Sequence, residues 1–130
     1  MDISSGGKPY TITFEVRPTY LYAYVKGEAD SYEISHAYWT EVSAECAKHD
    51  ARKLVVDEDV ASPVASRSDI FKGSAERSFM GLGGVKIAFV DRHADHHEEN
   101  LFGELVSTNR GLFCKVFVDL KEGEDWLLAG

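Results

Sequence analysis

Three short apolar runs dominate the second half of the chain: Leu54 to Val56, Val85 to Val90 broken only by Lys86, and Phe113 to Val118 broken only by Lys115. An apolar run without alternation suits a strand covered on both faces, as in the middle of a parallel sheet. Parallel strands need a crossover rather than a tight turn, and the segments between these runs are long enough to hold a helix. The chain is thereby constrained to successive βαβ units, for which right-handed crossovers are expected.

The first half adds a hairpin. Ile12, Phe14 and Val16 alternate with Thr11, Thr13, Glu15 and Arg17, the period of a strand with one buried face. Arg17-Pro18-Thr19 interrupts it, and a second strand follows with Leu21, Ala23 and Val25 on one face and Tyr20, Tyr22 and Tyr24 on the other, ending at Gly27. A first helix is predicted from Ser31 to His49, opened by Asp30 with Glu33 in a capping-box spacing and striped by Ser35, Tyr38, Trp39, Val42, Cys46 and His49. A second, from Ser66 to Met80, carries Ile70, Phe71, Ala75 and Phe79 and ends at Gly81, Gly83 and Gly84. In the third, Ala94, Glu98, Leu101, Phe102, Leu105, Val106 and Asn109 keep a helical rhythm, with Gly111 as the C′ residue. Asp119 to Ala129 closes the chain as a short helix carrying Trp126 and Leu127. The order is β-β-α-β-α-β-α-β-α, an α/β fold with one mostly parallel mixed sheet begun by an antiparallel hairpin. Trp39 and Phe102 are expected in its core.

Composition narrows the function. The 130 residues are 44 % hydrophobic and 28 % charged, which fits one globular domain over residues 1–130 and neither disorder nor low complexity. Fourteen Lys and Arg against 22 Asp and Glu give a net charge of −8, which opposes nucleic acid and anionic membranes as partners. Met1 to Pro9 is polar and no apolar run reaches membrane-spanning length, so neither a signal peptide nor a transmembrane helix is expected and the location reads as cytoplasmic. Cys46 and Cys114 lie among apolar residues with no adjacent base, so they read as small core side chains rather than a disulfide or a nucleophile.

Several clusters invite a functional reading beside a plainer one. Ser66, Ser68 and Asp69 open the second helix, where exposed N–H groups favour an anion, phosphoryl included; equally, Ser66 merely caps. Asp57, Asp59, Asp91 and Asp119 follow the apolar strands and are candidates for a ligand or metal crevice at the strand ends, or for solvated turns and caps. His93 and His97 fall at i and i+4, the spacing of a two-ligand zinc site, or form a solvated first turn; the His-Glu-Glu sequence is not the zinc-protease motif. The tyrosine row on the second strand can stack bases or pack against a helix, and net charge disfavours the first. Gly81-Leu82-Gly83-Gly84 precedes a strand, so it is a turn rather than a phosphate loop.

The element order, with Tyr38-Trp39, Val85 to Arg92, Phe102-Gly103-Glu104-Leu105-Val106, Asn109-Arg110-Gly111 and Asp125-Trp126-Leu127-Leu128, resembles the STAS or anti-sigma-factor-antagonist superfamily in its branch of small stand-alone bacterial proteins. The resemblance covers the chain from about Tyr20 onward. In relatives an Asp-Ser pair lies between the third strand and second helix, and its serine is phosphorylated by a partner kinase; here that motif is absent and the loop holds Ser62, Ser66, Ser68 and Asp69. The resemblance implies a non-enzymatic regulatory module, without cofactor, that binds an unidentified protein partner through that loop and possesses the option of self-association. The alternatives are a small-ligand binder for a nucleotide or lipid-like molecule, and a metal-dependent hydrolase built on the strand-end carboxylates.

Overall fold

Leu21, Ala23 and Val25 face one side of the second strand and Tyr20 and Tyr22 the other, and two separate hydrophobic cores form on the two sides of the sheet they begin. The computed structural model describes residues 9–28, 31–60, 66–77 and 80–129. Five strands, β1 (Tyr10–Val16), β2 (Leu21–Gly27), β3 (Lys53–Val60), β4 (Lys86–Asp91) and β5 (Phe113–Phe117), lie side by side in sequence order. The β1–β2 pair is antiparallel and the other three pairs are parallel. Among the described residues the helices are α1 (Tyr32–His49), α2 (Arg67–Arg77), α3 (His97–Asn109) and α4 (Leu120–Leu128).

The expected order of elements and the mixed sheet are therefore present. The larger core sits between the sheet and α1, where Tyr38, Trp39, Val42 and Cys46 are buried against Leu54, Val56, Ile87 and Phe89. On the opposite face Leu127 of α4 packs on Val55, Ala88, Val90 and the tyrosine row. Burial pushes the Cys46 thiol up to about 11, as expected of a core side chain.

Local chemistry sets the helix ends. Ser31, one residue later than expected, caps α1 by accepting a hydrogen bond from the Ile34 N–H at 3.2 Å, while Asp30 lies outside the described residues. After α3, Gly111 takes φ +90°, the left-handed conformation a C′ glycine supplies. The α3 helix starts later than its sequence rhythm implied: Ala94–His96 form one 3-10 turn and the α-helix begins at His97.

Candidate functional site

The period of a strand divides Asp57-Glu58-Asp59 between the two faces of the sheet. Asp57 and Asp59 point to the α4 side. There Tyr20, just before β2, and Tyr22 and Tyr24 of β2 each donate a hydroxyl hydrogen bond to a carboxylate: Tyr20 to Glu124, Tyr22 to Asp57 and Tyr24 to Asp59. Two arginines and a histidine complete the set. Arg17 pairs with Glu124 at 3.2 Å, Arg92 grips the fully buried Asp57 with two bonds of 3.1 and 2.6 Å, and the His93 ring lies 3.0 Å from Asp59. Burial and the carboxylate beside it hold the Tyr22 hydroxyl well above its ordinary pKa, so it stays protonated and donating. The Tyr24 hydroxyl bond, aided by His93 and opposed by burial, lowers the Asp59 carboxyl below 3.8.

Asp91 turns the other way and fixes the corner after β4. Its carboxylate accepts the His93 N–H at 2.9 Å and the Asn100 amide at 2.9 Å, and lies 3.0 Å from His96 Nδ1. His96 is buried with it, and the His93 and His96 rings stack at 5.1 Å. This corner overturns the helical spacing expected of His93 and His97. His93 is extended (φ −87°, ψ 95°) and precedes the helix, so the two share no helix face. Asp119 is exposed at the N-cap position of α4 and makes no side-chain capping bond. Asp57 and Asp59 lie within β3 rather than after it, and the four aspartates expected at the strand ends are not gathered in one crevice. Among the described residues no group of three or more His, Cys, Asp or Glu side chains is placed to hold a metal ion.

A cavity of about 80 Å³ opens between α1, α2 and α3, over the sheet face that carries Glu58. One wall is aromatic: Tyr38 stacks on Trp39 at 5.8 Å and Trp39 on Phe89 at 6.2 Å. Glu58, 5 % exposed, accepts the Tyr38 hydroxyl and borders the same space. Ser35 of α1, Asp69 and Gly73 of α2, and Cys114 of β5 contribute further lining. From α3 come Glu99, Asn100, Gly103, Glu104 and Ser107. Glu104 is anchored by accepting the Val116 N–H at 2.7 Å, which satisfies a donor on an edge strand.

That inner face of α3 inverts the usual pattern of a surface helix. Gly103, Val106 and Ser107 are buried, so Val106 alone of the apolar stripe keeps its core place, whereas Leu101 and Leu105 are 44 % and 59 % exposed. The apolar stripe that the sequence rhythm assigned to the core points largely outward, and a polar and small-residue stripe points in. Phe102 is the correction that follows. It is half-buried beneath the Arg67 guanidinium, 5.0 Å from the ring centroid, and not a core residue, while Trp39 is buried at 3 %. On α2, likewise, Phe71 is 48 % exposed and Phe79 lies outside the described residues.

Ser66 adopts capping geometry. Its Oγ accepts the Asp69 N–H at 3.1 Å and its carbonyl accepts the Ile70 N–H at 2.9 Å. Ser66 and Ser68 are exposed, Asp69 is half-buried at the cavity, and Ser62 lies outside the described residues. The lining residues Ser35, Asn100, Gly103 and Ser107 carried no functional reading in the sequence. The available signal was polar or small residues at 100, 103, 104 and 107, a helical spacing on the face opposite the apolar one.

No protein-family model matches the chain, and no curated protein and no solved structure matches it. Among the described residues no helix is long and apolar enough to cross a membrane.

Proposed function

We propose that this chain is a non-enzymatic binding module of STAS-like architecture that takes a small ligand into the cavity between α1, α2 and α3. The observation that carries the reading is the inverted α3 helix. A helix that turns Asn100, Glu104 and Ser107 inward and Leu101 and Leu105 outward gives up apolar burial, and places where a local rule is broken tend to be functional ones. The cavity combines an aromatic wall with a few placed polar groups, the usual make-up of a ligand site. The order β-β-α-β-α-β-α-β-α and the mixed sheet support the STAS-like assignment. The hydrolase alternative draws no support from the strand-end carboxylates, because Asp57, Asp59 and Asp91 are each engaged by structural partners.

A second reading is favoured by the outer surface of the same helices. Phe71, Leu101 and Leu105 are exposed there, which fits a protein partner that docks on α2 and α3 beside Ser66 and Ser68. A screen of uncharged small fragments by amide chemical-shift mapping separates the two. Saturable shifts at Trp39, Asn100 and Ser107 that vanish in a cavity-filling Ser35→Phe variant support the pocket. Shifts confined to Phe71, Leu101 and Leu105, unchanged by that variant, overturn it in favour of the outer surface.

A further inference from the structure

The two edges of the sheet are finished differently. At one side β5 is five residues long, carries the exposed Lys115, and has its Val116 N–H taken by Glu104 of α3 at 2.7 Å. A short strand, a lysine and a covering helix are the usual ways of closing an edge. At the other side β1 is outermost and longer, at seven residues. It holds neither proline nor lysine, and it pairs with β2 from Tyr10 to Val16 without a bulge. Its one charged side chain, Glu15, is already engaged by Arg17 at 3.3 Å.

The hairpin fixes which groups of β1 face outward. The Arg17 N–H donates to the Tyr20 carbonyl at 2.9 Å, so hydrogen-bonded pairs recur at every second residue: Glu15 with Tyr22, Thr13 with Tyr24 and Thr11 with Lys26. The intervening residues Ile12, Phe14 and Val16 therefore aim their N–H and C=O groups away from β2. Among the described residues no turn or loop backbone bond reaches these three. Their side chains add apolar surface, because Ile12 and Phe14 are half-buried against the α1-side core and Val16 is 65 % exposed. A long, flat edge with apolar side chains is a template for another strand.

We infer that β1 docks on β1 of a second copy of this chain, antiparallel about a two-fold axis at Thr13, so that the two five-stranded sheets become one. Centred on Thr13, the pairing uses the whole of Tyr10–Val16. It sets Ile12 beside Phe14 of the second copy and Thr13 beside its own counterpart. An aromatic facing a β-branched residue and a threonine facing a threonine are both favourable cross-strand pairs. Glu15 falls beside Thr11 of the second copy, so no like charges meet within the strands although each chain carries −8. The strand thus complements itself, which favours a second copy over an unrelated peptide, and a two-fold contact of this kind closes at two chains. The cavity is lined from the sheet by Glu58, Phe89, Cys114 and Val116 of β3, β4 and β5, so pairing at β1 leaves it open and the two readings stand apart.

Sedimentation equilibrium of the full chain, up to millimolar concentration, reads the association, and a monomer–dimer equilibrium is expected. Thr13 is exposed, and in this register it meets its counterpart in a closely spaced non-hydrogen-bonded pair. Thr13→Lys and Thr13→Glu are each expected to weaken the dimer about fivefold or more, and an equimolar mixture of the two to recover it. Should a charged variant fail to fold, as its melting curve would show, cysteine variants replace it. Thr13→Cys is expected to cross-link two chains under mild oxidation, located by peptide mass, and Thr11→Cys is not, because Thr11 and its counterpart lie too far apart for a disulfide. Equal cross-linking at both positions overturns the inference. A dimer that neither charged variant weakens overturns it too, and moves the contact to another surface such as Phe71, Leu101 and Leu105. A chain that stays monomeric also overturns it; slow hydrogen exchange at the Ile12 and Phe14 amides would then assign the edge to another segment of the same chain.

Discussion

The two faces of the sheet place their carboxylates in different surroundings. On the α4 face the hydroxyls of Tyr20, Tyr22 and Tyr24 each meet a carboxylate, and an arginine or histidine stands beside each of those carboxylates. On the α1 face Glu58 and Glu104 border an open space walled by aromatic rings. Paired charges around a filled core read as structure, because desolvation is offset inside the molecule. Glu58 and Glu104 also have partners inside the protein, the Tyr38 hydroxyl and the Val116 N–H, but they line a space the core leaves unfilled. The difference teaches that in this chain function is better sought where packing is incomplete than where acidic residues are most numerous in sequence.

The largest expected effect tests the floor of the cavity face. Trp39 is 3 % exposed and stacked on both Tyr38 and Phe89, so Trp39→Ala removes a full aromatic contact surface and is expected to cost about 3–5 kcal/mol. Thermal melting would then fall by roughly ten degrees or more. Phe102→Ala is expected to cost clearly less, since that ring is half-buried beneath Arg67. Equal losses from the two variants would mean that the outer face of α3 is as tightly packed as the core and that its inversion is not real.

Two glycines compare the packing of the faces directly. A Cβ on Gly123 of α4 would come within 2.9 Å of Val90 Cγ2, with Phe117 at 3.4 Å and Ala88 at 3.6 Å behind it. Overpacking of about 1–3 kcal/mol is expected to outweigh the gain of about 1 kcal/mol that alanine brings to a helix, so Gly123→Ala lowers stability. On α3 the nearest neighbour of a Gly103 Cβ is Ile70 Cγ2 at 3.3 Å, the end of a half-buried side chain that can yield. Gly103→Ala is expected to sit near zero. Denaturant midpoints of the two variants check the contrast, and a larger loss at Gly103 would break it.

A smaller effect concerns the helix that roofs the cavity. With Ser66 capping α2, Ser66→Ala is expected to cost about 0.5–2 kcal/mol and Ser66→Asp almost nothing, because Asp caps as well as Ser. A Ser66→Asp variant that melts as low as Ser66→Ala would remove the capping assignment and reopen the anion reading of this loop.

The fold was legible because its signals are periodic and local. The alternation of β2 placed Leu21 and Tyr22 on opposite faces, and Gly111 marked the end of α3 through the φ +90° that glycine supplies without strain. The candidate site was legible only in part. Asp57, Asp59 and Asp91 were singled out as carboxylates after strands, yet the same period-2 rule sends Asp57 and Asp59 away from the cavity and leaves Glu58, the one between them, facing it. Phe102 was misplaced because the 3-10 turn at Ala94–His96 delays the start of α3 and because α3 turns Gly103 toward Ile70 of α2, where an added Cβ would lie only 3.3 Å from Ile70 Cγ2, and a stripe count contains neither. The cavity itself depends on how three helices meet, which no window of sequence encodes.

The smallest expected effect is a pH dependence from the paired face. The Tyr24 hydroxyl holds the Asp59 carboxyl below its ordinary 3.8, with His93 adding to the shift and burial opposing it. A carboxyl whose pKa is lower folded than unfolded stabilises the fold only while it is ionised in both states. That contribution is complete above about pH 5 and is lost as pH falls through the lower folded value, because the unfolded chain takes up its proton first. Asp59→Asn deletes the charge at both ends of this balance. The stability gap between the natural chain and Asp59→Asn, measured by denaturant titration, is therefore expected to be constant from neutral pH to about pH 5 and to shrink below pH 4. Asp59 is 30 % exposed, so the gap is small and weakens with added salt. A gap that widens on acidification would show that the carboxyl is raised rather than lowered, and the contrast between a charge-paired face and an open one would lose its third pair.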